Sequence, residues 1–277
     1  MIKDIILKLE TDPARDRSLD YAISVAKIWD AHTTGMAFCD PVGFPQYPVP
    51  AMPASVISNI VMHKEREARA SIARFEEAAR GHNLSYDHEL VTHRLPRAAE
   101  EFAVKARRSD LSIVQQTEDS GDDNDAIIES ALFDSGRPVM IVPYIQKDRL
   151  KLDQVVCCWD GSPTAARAVN DARPLLKRAK SVEILIVANE KTEDSRHQAS
   201  GEGIVNHLAR HGIDARLKIL QAPDVDAANA ILSYIAEQGT DVVVMGGYGH
   251  SRLREFVLGG VTRTILGSMT APVFMSH

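Results

Sequence analysis

Short apolar runs alternate with longer amphipathic segments along the chain. Runs such as IILKL, VVCCW and DVVVM are mostly apolar at consecutive positions, which is typical of parallel strands buried on both faces. The segments between them, of which 52–82 is the longest, place apolar residues at helical spacing. This alternation predicts an α/β fold, with helices on both faces of a mostly parallel sheet.

The same order of elements occurs twice. The aligned stretches are 4–13 with 154–163, 109–114 with 240–245, and 127–143 with 261–277. Each half predicts five strands separated by helices, and 277 residues suit two domains of ~100–200 residues each. We therefore expect two tandem doubly wound domains, 1–147 and 151–277, each with a mostly parallel five-stranded sheet flanked by helices. The charged stretch 146–153 would link them.

One connection differs between the halves. Residues 40–53 (DPVGFPQYPVPAMP) are proline-rich, apolar and too long for an ordinary link between a strand and a helix. Three roles fit this segment: a lid over a pocket, part of an interface, or a flexible surface loop.

Composition restricts the class of partner and the compartment. The net charge of −6 and the pI near 5.9 argue against nucleic acid and anionic membranes as main partners, because both would require a basic face. No apolar run approaches the ~18–20 residues that span a bilayer, and the first residues do not resemble a signal peptide. The odd cysteine count, with Cys157 and Cys158 adjacent, predicts buried free thiols in a cytoplasmic protein.

Motifs for catalysis or zinc binding are missing from the sequence. No nucleophile with its base stands out. Four histidines of the first half lack the spacing of zinc ligands: His32, His82, His88 and His93. The sequence thus gives no positive evidence for turnover.

Glycine is concentrated in the segment MGGYGHSRLREFVLGGVTRT (245–264). Glycines let backbone N–H groups approach an anion closely. A helix that begins near Gly260 would add its own free N–H groups and the hydroxyl of Thr262. The turn WDGSP (159–163), where Ser162 suits a helix N-cap, should reach the same end of the sheet. These features predict a phosphate cradle; a tight turn without a ligand is the alternative interpretation.

Three motifs in the second half, in this order, resemble the universal stress protein domain. Residues 160–162 match the Asp-Gly-Ser that follows the first strand of that family. Residues 246–260 match its G-x2-G-x9-G-[S/T] pattern up to the last position, and 271–272 match the Ala-Pro before its last strand.

The resemblance implies a five-stranded α/β domain of the adenine-nucleotide α-hydrolase-like type that binds ATP or another adenine nucleotide. It implies that Asp160 lies beside the ribose and phosphates, with contact to a nucleotide-bound Mg²⁺, and that Val187 or Ala188 lines the adenine slot. The implied nucleotide-binding residues are Asp160, Gly161, Ser162, Val187, Ala188, Gly246, Gly249, His250, Gly259, Gly260, Val261 and Thr262.

The chain departs from the family pattern in two places. The Ser or Thr after the last motif glycine is Gly260 here, so one hydroxyl contact to phosphate is missing. In the first half the turn becomes Glu10-Thr11-Asp12, and the glycine segment becomes the acidic 115–130. Its carboxylates, Asp119, Asp122, Asp123 and Asp125, would repel a polyphosphate. A cation site and a solvated acidic loop are the two interpretations of this cluster, and we expect 1–147 to be a degenerate, structural copy.

The leading hypothesis is a tandem universal stress protein whose second domain is a nucleotide-binding sensor or regulator. The family pairs domains through their last strands, so the resemblance implies an intramolecular pseudo-dimer, with a homodimer of chains and unidentified protein partners as further expectations. An interaction protein that binds no nucleotide and uses the 40–53 segment is the second hypothesis. A slow ATP hydrolase is the third.

Overall fold

The computed structural model describes residues 1–39, 54–93, 95–118, 123–188, 195–222, 224–247 and 260–277. The chain divides into two compact units, Met1–Arg137 and Pro138–His277. The 40–53 segment lies outside the described residues, so the roles considered for it stay predictions.

In its described residues, the first unit has four strands and four helices. In chain order they are β1 Asp4–Lys8, α1 Ser18–Trp29, β2 His32–Phe38, α2 Ala54–Gly81, β3 Tyr86–Val91, α3 Arg97–Ala106, β4 Leu111–Gln115 and α4 Asn124–Asp134. The strands are parallel, in the order β3-β2-β1-β4. All five residues of β4 are buried, as are four of the five in β1, which explains why both runs are so apolar.

The second unit repeats this plan with two further strands. Its elements are β5 Val139–Val142, β6 Gln154–Cys158, α5 Pro163–Asp171, α6 Arg173–Leu176, β7 Ser181–Ala188, α7 Ser195–Arg210, β8 Ala215–Gln221, α8 Ala227–Gln238, β9 Val242–Gly246, α9 Gly260–Ser268 and β10 Val273–Ser276. The strand order is β5-β10-β9-β6-β7-β8, and every pair is parallel except β5 with β10.

The predicted fold class is confirmed in both halves. Strands and helices follow in the expected order, the sheet is mostly parallel, and helices flank it. The short helix α6 is an addition to the expected pattern. The segment expected to form the longest helix does so as α2, with 28 residues.

The strand β5 belongs to the first repeat in sequence but to the second compact unit in the structure. It is the last strand of the first repeat, yet Val139, Met140 and Ile141 pair antiparallel with β10, the last strand of the second. The compact second unit therefore begins at Pro138. The predicted domain limits, 1–147 and 151–277, follow the sequence repeat and stay a prediction.

Helix ends follow the residue types. Gly212, expected to end the helix that is α7, has a φ of +73° just beyond it, and Gly239 has a φ of +62° after α8. Among the described residues, no helix has the length and apolar character needed to cross a membrane.

Candidate functional site

The predicted site residues of the second unit lie where its parallel strands end. The register places Cys158 of β6 beside Leu185 of β7, and Cys157 beside Val244 of β9. The backbone N–H of Trp159 donates to Leu185 O at 2.8 Å, which carries the chain past β6 along β7. The turn that follows β6 therefore lies at the edge of the sheet where ligands of open α/β proteins bind.

The turn at Asp160 has a fixed geometry. The backbone N–H of Ser162 donates to Asp160 Oδ1 at 2.9 Å, an Asx turn closed by the side chain. Gly161, between them, has a φ of +76°, which side chains disfavour. Asp160 itself is exposed, so its carboxylate is accessible from solvent.

The same turn begins helix α5. Ser162 has an extended backbone, and its Oγ accepts from Ala165 N at 3.1 Å, so it is an N-cap with Pro163 as the first helical residue. The hydroxyl of Thr164 lies 3.1 Å from Ser162 Oγ. The helix start predicted from Ser-Pro is thus confirmed.

Gly246, the last residue of β9, packs directly against this helix start. A Cβ on Gly246 would lie 2.6 Å from Ala165 N and 2.7 Å from Thr164 Oγ1. These distances are shorter than any real Cβ contact, and the nearest atoms belong to the backbone. Only glycine therefore permits β9 to end so close to the N-terminus of α5. Thr164 was not predicted from the sequence, although its place two residues after the cap is a signal for it.

Gly247, the first residue after β9, is held by contacts with the end of the chain. The N–H of Gly247 donates to Ser276 O at 2.9 Å, and Gly247 O lies 3.0 Å from Nδ1 of His277. Gly249, His250 and Gly259 lie outside the described residues, so their predicted roles stay predictions.

The remaining predicted residues occupy two separate places. Val187 and Ala188 are half-buried at the end of β7, opposite Leu220 and Gln221 of β8. Gly260, Val261 and Thr262 form the first turn of α9, the predicted helix start. The first two are exposed, whereas Thr262 is only 4% exposed. The structure thus brings Asp160, Gly161, Ser162 and Gly246 together around α5, with the other two groups placed on neighbouring elements.

A cavity of about 300 Å³ lies beyond the end of β8. Its lining includes Leu220, Val225 and Tyr234, and the Tyr234 hydroxyl donates to Glu183 Oε1 at 2.6 Å. Burial, followed by this hydrogen bond, raises the pKa of Tyr234 to about 12. The cavity is not lined by Asp160, Ser162 or Gly246, so we do not equate it with the predicted phosphate site.

The two cysteines next to the turn have raised thiol pKa values. Burial raises the pKa of Cys158 to about 12, with a contribution from the nearby charge of Asp160, and burial also raises the pKa of Cys157. Cys39 and Cys157 are buried, Cys158 is half-buried, and all three are free thiols. Neutral thiols in these positions are poor nucleophiles and poor metal ligands.

The equivalent crevice of the first unit has different chemistry. Glu10 stands where the repeat places Asp160, and its Oε2 lies 2.8 Å from Lys8 Nζ. The side chains of Lys8 and Glu10 are only 10% and 12% exposed. Asn124, the first residue of α4, donates from Nδ2 to Glu10 Oε1 at 3.1 Å. A cavity of about 230 Å³ adjoins this ion pair.

Gln115 replaces Gly246 at the end of β4. Its side chain is 3% exposed, and Oε1 accepts from Arg17 N at 2.7 Å. Helix α1 begins at Ser18, whereas the repeat would start it near Pro13. A side chain therefore fills the place where the second unit has direct contact between strand and helix.

The acidic segment of the first unit is only partly described, since Asp119 and Asp122 lie outside the described residues. Asp125 Oδ1 accepts from Thr117 Oγ1 at 2.6 Å, and burial together with Asp125 raises the pKa of Glu129. Within the described part of the chain, no three His, Cys, Asp or Glu side chains form a group able to hold a metal ion.

Comparison with known proteins adds the family. The model of the universal stress protein family matches residues 151–277. No curated protein matches the chain in sequence.

Solved structures resemble the chain, some over nearly its full length and some over about half of it. A universal stress protein from Archaeoglobus fulgidus is 15% identical, with 99% of this chain and 95% of that one covered and a TM-score of 0.74. A functionally unknown protein from Pseudomonas aeruginosa is 15% identical, with 99% and 92% covered and a TM-score of 0.65. A universal stress protein in complex with cAMP is 19% identical over 45% of this chain and 97% of that one, with a TM-score of 0.37.

At these identities the two full-length structures establish the fold, and the sequence match establishes the family of residues 151–277. Residues 151–277 are thus a domain of the universal stress protein family, and the chain as a whole has the fold of the two full-length structures.

Proposed function

We propose that this chain is a cytoplasmic stress-response regulator or sensor that binds an adenine nucleotide, ATP or a relative, in the crevice of its second unit. The first unit serves as a structural partner without a nucleotide site of its own. A homodimer of chains and protein partners that read the nucleotide state belong to the same proposal.

The contact between Gly246 and the start of α5 is the observation that carries the proposal. It places the free backbone N–H groups of a helix N-terminus beside the bare backbone at the end of β9. Such N–H groups, together with the positive end of the helix dipole, favour a phosphate group. The hydroxyls of Ser162 and Thr164 lie 3.1 Å apart at the same place, so one donates to the other and one proton remains for a ligand.

Asp160 suits contact with a nucleotide-bound Mg²⁺. Mg²⁺ commonly binds through one or two carboxylates and the phosphates of the substrate. Asp160 is one exposed carboxylate, and its Oδ1 is oriented by the hydrogen bond from Ser162 N. A bound Mg²⁺ would neutralise the negative charge of the phosphates, which the Asp160 carboxylate would otherwise repel.

The first turn of α9 is the second place for phosphate contact. Gly260 is exposed, and a Cβ there would meet no atom of the described residues within 4 Å. As far as the described residues go, this leaves room for a ligand that contacts the backbone N–H of Gly260. The Thr262 side chain is buried, so we assign the ligand contact in this turn to the backbone.

Calorimetry and thermal shift with Mg-ATP, AMP and cAMP test the proposal. The wild-type chain should bind at least one of these nucleotides with a stoichiometry of one per chain. Asp160→Asn keeps an oxygen that can accept from Ser162 N but removes the charge, so binding should weaken while the melting temperature stays unchanged. Asp160→Ala loses both the charge and the acceptor.

Asp226 provides a matched control. It forms the same type of turn at the start of α8, where its Oδ2 accepts from Ala228 N at 3.1 Å. Asp226→Asn should leave nucleotide binding as in the wild type. If millimolar Mg-ATP, AMP and cAMP cause neither heat nor a thermal shift in the wild-type chain, the proposal is wrong and an interaction protein without a nucleotide site becomes the leading hypothesis. Phosphate release above the no-protein control would identify slow ATP hydrolysis.

A further inference from the structure

The first unit contains a buried cation at the end of its first strand. Lys8 is only 8% exposed, and the burial of a lone ammonium group would be strongly unfavourable. The carboxylate of Glu10 satisfies it at 2.8 Å. Removal of one partner of such a pair leaves the other charge buried without compensation.

A second donor converges on the same carboxylate. Asn124 is fully buried at the first position of α4, and its Nδ2 donates to Glu10 Oε1. Glu10 thus accepts from a cation on one oxygen and from an amide at a helix N-terminus on the other. The ammonium of Lys8 and the side-chain amide of Asn124 can both donate to an anionic oxygen, the ammonium through a charge-assisted hydrogen bond.

The backbone of Glu10 is held from a third element. The guanidinium of Arg74 in α2 donates from Nη2 to Glu10 O at 2.7 Å and to Thr11 O at 3.2 Å. The loop that carries the carboxylate is therefore attached to the body of the unit, and its side chain points at Lys8 and Asn124 in a fixed geometry.

We propose that the Glu10 carboxylate excludes phosphate-bearing ligands from the crevice of the first unit. It does so because it already accepts from the ammonium of Lys8 and the side-chain amide of Asn124, the donors that a phosphate would need. Glu10 is then the residue that determines the specificity of this crevice. The proposal concerns the first unit and does not depend on whether the second unit binds a nucleotide.

Space for a substitute anion is present beside the ion pair. The adjoining cavity of about 230 Å³ is lined by Lys8, Lys64 and His93, and by the carboxylates of Glu10, Glu67 and Asp123. Of these carboxylates, Glu10 is the one paired with Lys8. A water molecule occupies about 30 Å³, so the cavity has room for a tetrahedral oxyanion next to the ammonium once the carboxylate charge is removed.

Inorganic phosphate is the probe for the test. Glu10→Gln retains the length of the side chain but leaves the Lys8 ammonium without its counter-charge. In the full chain, this variant should bind phosphate about tenfold or more tightly than the wild type, because charge-assisted hydrogen bonds to the ammonium become available. Calorimetry should show one additional phosphate per chain, and phosphate should raise the melting temperature of the variant more than that of the wild type. Sodium chloride at matched ionic strength controls for screening.

Two further variants assign the gain to Lys8. The double change Lys8→Met with Glu10→Gln should lose the additional phosphate site, because the cation is gone. Glu89→Gln removes the counter-charge of Lys105 in an exposed pair of the same unit, where the side chains are 37% and 39% exposed. It should gain no phosphate binding, since solvent already compensates the free ammonium.

The outcomes separate clearly. If Glu10→Gln binds phosphate no better than the wild type or Glu89→Gln, the proposal is wrong. If the variant is unfolded in chloride, recovery of its far-ultraviolet circular dichroism by phosphate supports the proposal. Failure to recover it at saturating phosphate contradicts the proposal.

Discussion

At the end of β9 the second unit has Gly246, and at the equivalent end of β4 the first unit has Gln115. Gly246 lets the strand contact the start of α5, which leaves backbone N–H groups at the crevice. Gln115 instead uses its side chain to accept from Arg17 N, and the following helix begins later. At this position the crevice of the second unit presents bare backbone, whereas the crevice of the first unit is filled by a side chain.

A second pair of positions shows the same contrast. Asp160 is exposed and accepts only a local backbone hydrogen bond from Ser162 among those described. Glu10, at the same place in the first repeat, is nearly buried and paired with Lys8. Two copies of one fold can therefore offer different groups to a ligand. A carboxylate that is already paired with a cation of the same unit, as Glu10 is with Lys8, is unavailable to a ligand.

The largest effect is expected for Gly246→Ala. The added Cβ meets backbone atoms of Thr164 and Ala165 at 2.6 Å, so β9 and α5 must move apart. We expect a loss of about 2–3 kcal/mol in the free energy of unfolding, together with loss of nucleotide binding. Urea denaturation measures the first quantity and calorimetry the second.

Gly260→Ala is the control with the same chemical change. Nothing in the described structure lies within 4 Å of its Cβ, so stability should stay the same or rise slightly. Equal losses in the two alanine variants would show that close packing at Gly246 has no special role.

Gly260→Ser should strengthen nucleotide binding in the crevice of the second unit. It restores the hydroxyl that the family pattern has after the last motif glycine, and no atom of the described residues lies within 4 Å of a Cβ at this position. A hydrogen bond to a charged group contributes about 1.5–3 kcal/mol, so nucleotide affinity should rise about ten- to hundredfold. Calorimetry with Mg-ATP measures the gain, and Gly260→Ala, which adds no hydroxyl, should show none. An unchanged affinity in Gly260→Ser would place the phosphates elsewhere.

Ser162→Ala should have a smaller effect on stability and a specific effect on binding. Loss of the N-cap hydrogen bond to Ala165 N costs about 1 kcal/mol. Asp226→Ala removes the side-chain cap of α8 and should destabilise the chain by a similar amount. Only Ser162→Ala should weaken nucleotide binding, which separates a role in the crevice from a role in helix stability.

The smallest effect concerns pH and Asp16 in the first unit. Burial raises the pKa of Asp16, and the charge of Glu10 adds to the rise. A raised pKa in the folded state means that this group favours folding below its unfolded pKa of about 3.8, and that its contribution is lost as pH rises through the folded value. Asp16→Asn should therefore stabilise the chain more at pH 7 than at pH 3.5, relative to the wild type.

Urea denaturation at the two pH values measures this difference. Asn can still accept the hydrogen bond from Leu19 N, so the start of α1 should be retained. A variant with the same relative stability at both pH values would contradict the assigned pKa shift.

Much of the second crevice followed from local sequence. Ser162-Pro163 predicted the start of α5, and the glycine-rich stretch predicted that α9 begins near Gly260. Both predictions depend on interactions within a few residues, such as an N-cap hydrogen bond, which a short sequence determines almost completely.

The contacts in the crevice of the first unit could not be predicted from local sequence. The sequence indicated acidic residues that would repel a polyphosphate, but Glu10 and Asn124 contact each other across 114 positions of the chain. Lys8 gave no signal either, because a lysine in an apolar run commonly extends its ammonium to solvent.

The sequence alone therefore determined the duplication, the order of strands and helices, and the loss of the glycine motif from one copy. These are properties of periodicity and residue type, which arise from hydrophobic burial and local backbone preference. Only the tertiary structure decided that β5 pairs antiparallel with β10, that Gly246 contacts Thr164, and that Lys8 is neutralised by Glu10. Each of these depends on atoms distant in sequence that reach within a few ångströms of one another, and that proximity exists only once the sheet has formed.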